Sequence, residues 1–148
     1  KALDFGSSYY RFESYVSNFM VQMNYTYFVN HLKLNIARHN FSFDVCVNAR
    51  VLRFVNILYK LRVIRRFMQI TPKKYRIYTA WIGRHPNALT LKCYSRGLNP
   101  ICIRYKSLLI LQHNVFNSHI ILDTSKGLMT HHDAIRAKVG GVLVCIVN

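Results

Sequence analysis

The sequence predicts an α+β protein, built as one domain or as two small lobes that share an interface. Phe41–Val47 alternates apolar and polar residues with the period of a half-buried strand. Ala49–Leu61 instead carries its apolar residues at helical spacing. At the end of the chain, the apolar runs His119–Leu122 and Val142–Val147 flank a polar loop and a helix start, which again indicates strands mixed with helix. With 148 residues, 51% of them hydrophobic, the chain can build a real core.

The first part of the chain gives the weakest pattern. Lys1–Asn18 has no clear period and is predicted to be an extension. A helix ending near His39 is predicted next, with Asn24 or Asn30 as its N-cap. Its apolar residues do not hold one clean face throughout.

The strongest helix prediction is Ala49–Leu61, with Asn48 as its N-cap. One face is predicted to be apolar and to contain Leu52, Val55, Leu58 or Tyr59, and Leu61. The other side carries Arg50, Arg53 and Lys60. A charged outer face is usually only solvated, but the stretch from Ala49 to Thr71 contains no acid, which favours a nucleic-acid partner.

Two strands, Ile64–Ile70 and Tyr75–Ile82, are predicted after this helix, joined by a basic turn at Thr71–Lys74. Gly83–Asn87 is the main cluster of helix and strand breakers and is taken as the lobe boundary. The predicted organisation is therefore an extension over residues 1–18, one lobe over 19–83 and a second lobe over 84–148. The second lobe is predicted to open with strands at Leu89–Tyr94 and Ile101–Tyr105 and a helix at Ser107–Val115.

The end of the chain is predicted to form a strand–loop–helix–strand unit. Asp123–Gly127 is read as a polar loop in which Gly127 takes a left-handed backbone angle. Thr130 is the predicted N-cap of a helix, and Asp133 stands where an acid reaches back to it. The helix is predicted over Ala134–Val139, stopped by Gly140 and Gly141.

The loop in this unit has the chemistry of a phosphate site. Thr124, Ser125 and Lys126 offer hydroxyl groups, backbone N–H groups and one positive charge just ahead of a helix. The alternative is an ordinary connection in which Thr124 and Ser125 satisfy their own backbone, and spacing alone favours that alternative. A Walker loop is excluded because its G-x-x-x-x-G-K pattern is absent.

Charge restricts the class of partner. The chain has 21 Lys and Arg against 5 Asp and Glu, a formal net charge of +16, which favours a polyanion such as nucleic acid, or next an anionic membrane surface. The apolar runs are too short for a membrane-spanning helix. Four dispersed cysteines (Cys46, Cys93, Cys102 and Cys145) lack zinc-ribbon spacing and are expected to be reduced and mostly buried.

An enzyme is the less favoured class. Cleavage of RNA with two metal ions needs several converging carboxylates, and the chain has only five acids. Cleavage without metal would use a histidine pair. His131 and His132 are adjacent on a predicted helix, so they point about 100° apart and are expected to be exposed rather than to flank one phosphate.

Several motifs, in one order and spacing, resemble the end of the small-subunit ribosomal protein S8 family. They are Thr-Ser-Lys-Gly at 124–127, Met-Thr at 129–130, Ala134, Arg-Ala at 136–137 and the Gly140-Gly141 pair. The resemblance extends to Asn56-Ile57-Leu58 and to Val63–Phe67, although Arg62 stands where the family usually has a helix-terminating glycine. Asp123 and Val142 are further departures, replacing a serine and a glutamate of the family pattern.

The resemblance implies a two-lobed α+β fold, N-terminal α-β-α-β-β and C-terminal mostly β with the strand–loop–helix–strand finish. It implies a structural constituent of the small ribosomal subunit that binds the central domain of small-subunit rRNA and contacts neighbouring ribosomal proteins, without a cofactor, a small-molecule substrate or a membrane. The alternative is a free-standing basic ribonuclease or toxin. The expected RNA-binding residues are Lys33, Arg50, Arg53, Arg104, Tyr105, Lys106, Thr124, Ser125, Lys126, Gly127, Gly140 and Gly141. Divergence and a composition rich in Tyr, Phe, Asn and Ile suggest a mitochondrial ribosome, with a plastid or bacterial one as the alternative.

Overall fold

The computed structural model describes residues 25–80, 90–94, 99–115 and 117–148. The first helix, α1, covers residues 25–37 of this part. The elements that follow are β1 (Ser42–Cys46), α2 (Ala49–Lys60), β2 (Ile64–Thr71), β3 (Lys74–Thr79), β4 (Leu91–Cys93), β5 (Cys102–Ile103), α3 (Tyr105–Asn114), β6 (His119–Thr124), β7 (Gly127–Thr130), α4 (His131–Arg136) and β8 (Gly141–Val147). The α+β class and the N-terminal order α-β-α-β-β are confirmed. The predicted extension 1–18 and the boundary at Gly83–Asn87 lie outside the described residues.

The first sheet has the antiparallel order β1-β3-β2. Phe43, Val45 and Ile77 are buried on one face and join the core with α1 and α2. On the other face the cross-strand partners Asp44 and Arg76 form an ion pair with 2.7 Å between Oδ1 and Nε. The hydrogen bond from Arg76 holds the pKa of Asp44 below its usual range. The first sheet is therefore apolar on one side and charged on the other.

The second sheet has the order β4-β8-β6-β7, and the short strand β5 also pairs with β8. Strand β7 differs from the sequence prediction, which assigns Asp123–Gly127 to one loop. Asp123 and Thr124 instead continue β6, and Gly127 begins β7, so Ser125 and Lys126 form a two-residue turn. Gly127 has a φ of +107°, which only glycine adopts without strain, and this confirms its predicted conformational role.

Two apolar clusters lie on opposite faces of the second sheet. The larger cluster joins both sheets with α1 and α2 and includes Ile121, whereas Ile120 and Leu122 belong to a smaller cluster with α3 and α4. Ile121 pairs with Cys145 but Leu122 pairs with Leu143, so β8 contains an extra residue at this point. This bulge lets two consecutive residues of β8, Val144 and Cys145, face the larger cluster.

The apolar face of α2 differs from the predicted one. The helix buries Val51, Phe54, Val55, Ile57 and Leu58. The predicted core residues Leu52 and Leu61 are only half-buried, and Tyr59 is 49% exposed. The stripe is rotated toward Phe54 because that ring packs against Tyr25 and Phe28 of α1. Arg50, Arg53 and Lys60 are exposed, as predicted.

Three helices end with a residue other than glycine in the left-handed region: His39 after α1, Arg62 after α2 and Lys138 after α4. At Arg62 the N–H donates to the Tyr59 carbonyl, and the next N–H, of Val63, donates to Leu58, both at 3.0 Å. This pair of hydrogen bonds is a Schellman motif, and it recurs at the other two helices. Arg62 therefore ends the helix where a glycine was expected.

Other predictions at helix ends need correction. Helix α4 begins at His131 and ends at Arg136, three residues before the predicted end, because Lys138 rather than the glycine pair terminates it. Asn30 lies inside α1 and is not its N-cap. Thr130 does cap α4, since its hydroxyl accepts from the Asp133 N–H and donates to the Asp133 carboxylate at 2.9 Å.

The cysteines and one aromatic residue also differ from expectation. Cys145 is buried and Cys93 half-buried, but Cys46 and Cys102 are exposed, so burial holds for only part of the set. Tyr105 is the first residue of α3 and not the last residue of a strand. No helix in the described part of the chain has both the length and the apolar composition to cross a bilayer.

Candidate nucleic-acid interface

The turn between β6 and β7 presents two of the predicted RNA-binding residues to solvent. Ser125 and Lys126 are exposed at its tip. Thr124 is half-buried, and its hydroxyl donates to the Gly127 carbonyl at 2.8 Å and accepts from the Lys126 N–H at 3.2 Å. The structure therefore shows the alternative for Thr124: its hydroxyl bonds backbone groups of its own turn. Ser125 and Lys126 are the two residues of this turn best placed for an external phosphate.

The glycine pair brings two predicted segments together. A Cβ atom on Gly140 would lie 2.5 Å from the Ile103 carbonyl oxygen, and one on Gly141 would lie 2.5 Å from the Asp123 carbonyl oxygen. Neither position has room for a side chain. The backbone that lies against these glycines belongs to the protein, and a close approach of RNA to them stays a prediction. Their role is to close the end of the second sheet.

That sheet end collects basic and polar side chains from two places in the sequence. Gly141 pairs with Ile103 on one side and with Thr124 on the other, and both partner strands run antiparallel to β8. The two partner strands therefore end at the same edge. The residues that follow them there are Arg104, Tyr105 and Lys106 on one side, and Ser125 and Lys126 on the other. Arg104 and Lys106 are exposed and Tyr105 is half-buried.

Two arginines of α2 reach the same hairpin. Arg50 and Arg53 line a cavity of about 250 Å³, together with Tyr25, Asp123, Gly127 and Leu128. The guanidinium Nη1 of Arg53 would be 4.0 Å from a Cβ on Gly127. The basic face of α2 and the hairpin that carries Lys126 are therefore neighbours in space.

Asp123 is the one acid among the described residues that line this cavity. Burial raises the pKa of its carboxyl group, and the positive charges of Arg50 and Arg53 act in the opposite direction. Burial also raises the pKa of Tyr25 to about 12, with the Asp123 charge as the next cause. The departure from the family pattern at Asp123 thus places a carboxylate where it offsets part of the charge of two arginines.

Lys33 is the predicted residue that the structure places elsewhere. It lies on α1, where its positive charge acts on the thiols of Cys93 and Cys145. These cysteines are cross-strand partners in β4 and β8, and the hydrogen bond between them lowers the pKa of Cys93 and raises that of Cys145. Nothing observed in the described residues joins Lys33 to the Arg50 and Arg53 cavity.

The prediction that both residues of the histidine pair are exposed is right for His132 and wrong for His131. His132 is exposed, but His131 is only 2% exposed, and burial lowers its pKa to about 4, with the charges of His132 and His119 as further causes. The two rings lie with their centroids 3.9 Å apart and their planes tilted by 36°, so the expected 100° separation does not hold for the side chains. His119 joins them across the hairpin. The sequence offered one signal for this cluster: a histidine begins the strand, and two more begin the next helix.

The described acids do not converge on one point. Asp44 is bound to Arg76 and lies 3.6 Å from Lys74, and Asp133 is bound to the capping Thr130. Asp123 stands between arginines. Over residues 25–80, 90–94, 99–115 and 117–148, no carboxylate cluster suited to two metal ions is present.

A strongly basic α+β fold, with cations from three segments at one hairpin and one sheet end, is typical of RNA-binding proteins. A search of curated proteins finds no match. The sequence model of the family described as ribosomal protein S8 matches residues 12–148, nearly the whole chain. The chain belongs to the ribosomal protein S8 family. The family consists of structural proteins that bind rRNA in the small ribosomal subunit.

Proposed function

We propose that this protein binds the central domain of small-subunit rRNA and supports its folding during assembly of the subunit, without catalysis. The observation that carries the proposal is the position of Gly141 between Ile103 and Thr124. This pairing sets the basic segment Arg104–Lys106 beside the turn that holds Ser125 and Lys126. The RNA-binding surface then belongs mainly to the predicted lobe 84–148, and Arg50 and Arg53 of lobe 19–83 add to it.

The chemistry of this surface suits a folded RNA. Lysine and arginine side chains neutralise phosphates and release counterions, which supplies much of the affinity. Hydroxyl groups such as that of Ser125 accept and donate hydrogen bonds to phosphate and 2′-OH groups. Tyr105 is half-buried at the start of α3, so part of its ring remains available to stack on an unpaired base.

The double change Ser125→Ala with Lys126→Ala is expected to weaken binding of the full chain to its cognate rRNA hairpin. Losing one phosphate contact should also reduce the slope of log affinity against log salt by about one unit. Filter binding at several salt concentrations measures both quantities. Lys73→Ala, which removes one exposed charge from the β2–β3 turn, is the matched control and should change the affinity less. Equal effects of the two variants would count against the hairpin as the binding site.

Asp123→Asn gives a complementary test with the opposite sign. The change removes the acid that offsets Arg50 and Arg53 and keeps the shape of the side chain. Because both arginines then act on the RNA without this partner, affinity is expected to rise about threefold to tenfold at moderate salt. An unchanged or weaker affinity would mean that the cavity does not face RNA.

A mitochondrial ribosome is the proposed location, with a plastid or bacterial ribosome as the alternative. Its support is the composition, with 10 Tyr and 9 Phe against 6 Gly, and the departures from the family pattern at Arg62, Asp123 and Val142. Fractionation of cells that express the tagged chain, followed by sedimentation in moderate salt, tests location and assembly together. The protein should migrate with the small subunit of the mitochondrial ribosome. A protein that stays at the top of the gradient would instead fit a free-standing enzyme.

A further inference from the structure

Three histidines from two elements meet where β6 and α4 begin. His119 begins β6, whereas His131 and His132 begin α4. The β6–β7 hairpin returns the chain, so that Thr130 pairs with Ile121 and the two element starts become neighbours. One ring nitrogen of each histidine lies within 4.8 Å of the corresponding nitrogens of the other two. The ring centroid of His119 is 6.2 Å from each of the others.

Two buried nitrogens of this cluster have no hydrogen-bond partner among the described residues: Nδ1 of His119 and Nε2 of His131. His131 is 2% exposed, and its other nitrogen, Nδ1, accepts the Ile120 N–H at 3.2 Å. Buried polar atoms in folded proteins nearly always have a partner. Two unpartnered nitrogens within one three-histidine cluster therefore indicate a ligand that binds imidazole.

We propose that His119, His131 and His132 bind one divalent first-row transition-metal ion, such as Zn²⁺. Three imidazole nitrogens are a common donor set for zinc, with Zn–N distances of about 2.0–2.1 Å in tetrahedral geometry. That geometry puts the nitrogens about 3.4 Å apart, so the cluster must contract from its present spread. His132 is exposed and His119 half-buried, so rotation of these two side chains toward the buried His131 would provide the contraction.

The hydrogen bond at His131 gives the proposal a specific consequence. While Nδ1 accepts the Ile120 N–H, the proton of a neutral ring resides on Nε2. Metal binding through Nε2 requires the proton to move to Nδ1, so the ring changes tautomer and the bond from Ile120 is lost. The site thus exchanges one hydrogen bond for metal–nitrogen bonds, and the Ile120 amide reports the exchange.

Titration of the metal-free full chain with Zn²⁺ and with Co²⁺ tests the site. One ion per chain is expected, and bound Co²⁺ should show visible d–d absorption without the near-ultraviolet thiolate band that cysteine ligands produce. His132→Asn, at an exposed position, should weaken binding at least about tenfold. His113→Asn, an exposed histidine of α3, and Cys93→Ser, in the only cross-strand cysteine pair seen among the described residues, are the matched controls and should leave binding unchanged.

Nuclear magnetic resonance supplies a second measurement that does not depend on a variant. On addition of Zn²⁺, the His131 ring should change tautomer, which the chemical shifts of its ring nitrogens report. The amide resonance of Ile120 should move, whereas that of Ile77 in the first sheet should not. Failure to bind one ion per chain at micromolar concentration, unaltered binding by His132→Asn, or loss of binding by Cys93→Ser would each overturn the proposal. These outcomes are independent of RNA binding, which uses other residues.

Discussion

The two sheets of this protein differ in how many of their faces are covered. The first sheet packs one face on α1 and α2 and exposes the other, where Asp44 and Arg76 form an ion pair. The second sheet is covered on both faces, by the larger apolar cluster on one side and by α3 and α4 on the other. Neighbouring residues of one strand therefore contribute unequally to stability in the first sheet, where only one of them is buried, and about equally in the second, where both are.

The same difference decides what a sequence reveals. A strand with one solvent-exposed face must alternate apolar and polar residues, and Phe41–Val47 does so. For this reason β1 was predicted with nearly its observed bounds. A strand buried on both faces is a continuous apolar run, as in β6 and β8. Such a run predicts a strand but does not say which residue faces which cluster. The bulge that turns Val144 and Cys145 toward the same side lies beyond any period-two pattern.

The largest expected effect is at the closed end of the second sheet. Gly141→Ala places a Cβ atom 2.5 Å from the Asp123 carbonyl oxygen. Because the backbone of β6 must then move, the unfolding free energy should fall by about 3 kcal/mol. Urea denaturation followed by circular dichroism measures it. Gly127→Ala is the matched control, since its nearest neighbour would be an arginine side-chain atom at 4.0 Å. That variant meets only the unfavourable φ of +107° and should cost about 1–2 kcal/mol. Equal losses would mean that the glycine pair is not needed for close packing.

Removing one methyl group at four isoleucines tests the comparison of the sheets directly. Ile120→Val and Ile121→Val change adjacent residues on opposite faces of β6, and each should cost about 1 kcal/mol because both are buried. In the first sheet, Ile77→Val should cost about the same, since Ile77 is fully buried. Ile70→Val on β2, where the side chain is 47% exposed, should change stability by less than about 0.5 kcal/mol. A small effect at either Ile120 or Ile121 would show that one face of the second sheet is not a true core.

The sequence predicts the separate motifs of the candidate site but not their proximity in the fold. Thr124–Gly127 and Arg104–Lys106 could each be found by resemblance, because the residues of each motif are contiguous. Arg53 of α2 and Gly127 line the same cavity although they are far apart in the chain, and no local pattern encodes this proximity. The short strand β7 was missed for a related reason, since all four of its residues are half-buried and show no alternation. The histidine cluster likewise depends on the return of the hairpin.

The smallest expected effect concerns the left-handed residue that ends both α2 and α4. Arg62 after α2 and Lys138 after α4 hold left-handed backbone angles, with φ of 59° and 55°, inside the same hydrogen-bonded motif. Glycine adopts this conformation without the Cβ clash, although it gains more entropy on unfolding. Arg62→Gly and Lys138→Gly should therefore each stabilise the fold by about 0.5 kcal/mol. Arg62→Lys, which keeps the charge and the Cβ, is the control and should leave the unfolding midpoint in urea unchanged. A more stable Arg62→Gly variant with a less stable Lys138→Gly variant would mean that the Lys138 side chain makes a stabilising contact of its own. Helices α2 and α4 would then end for different physical reasons.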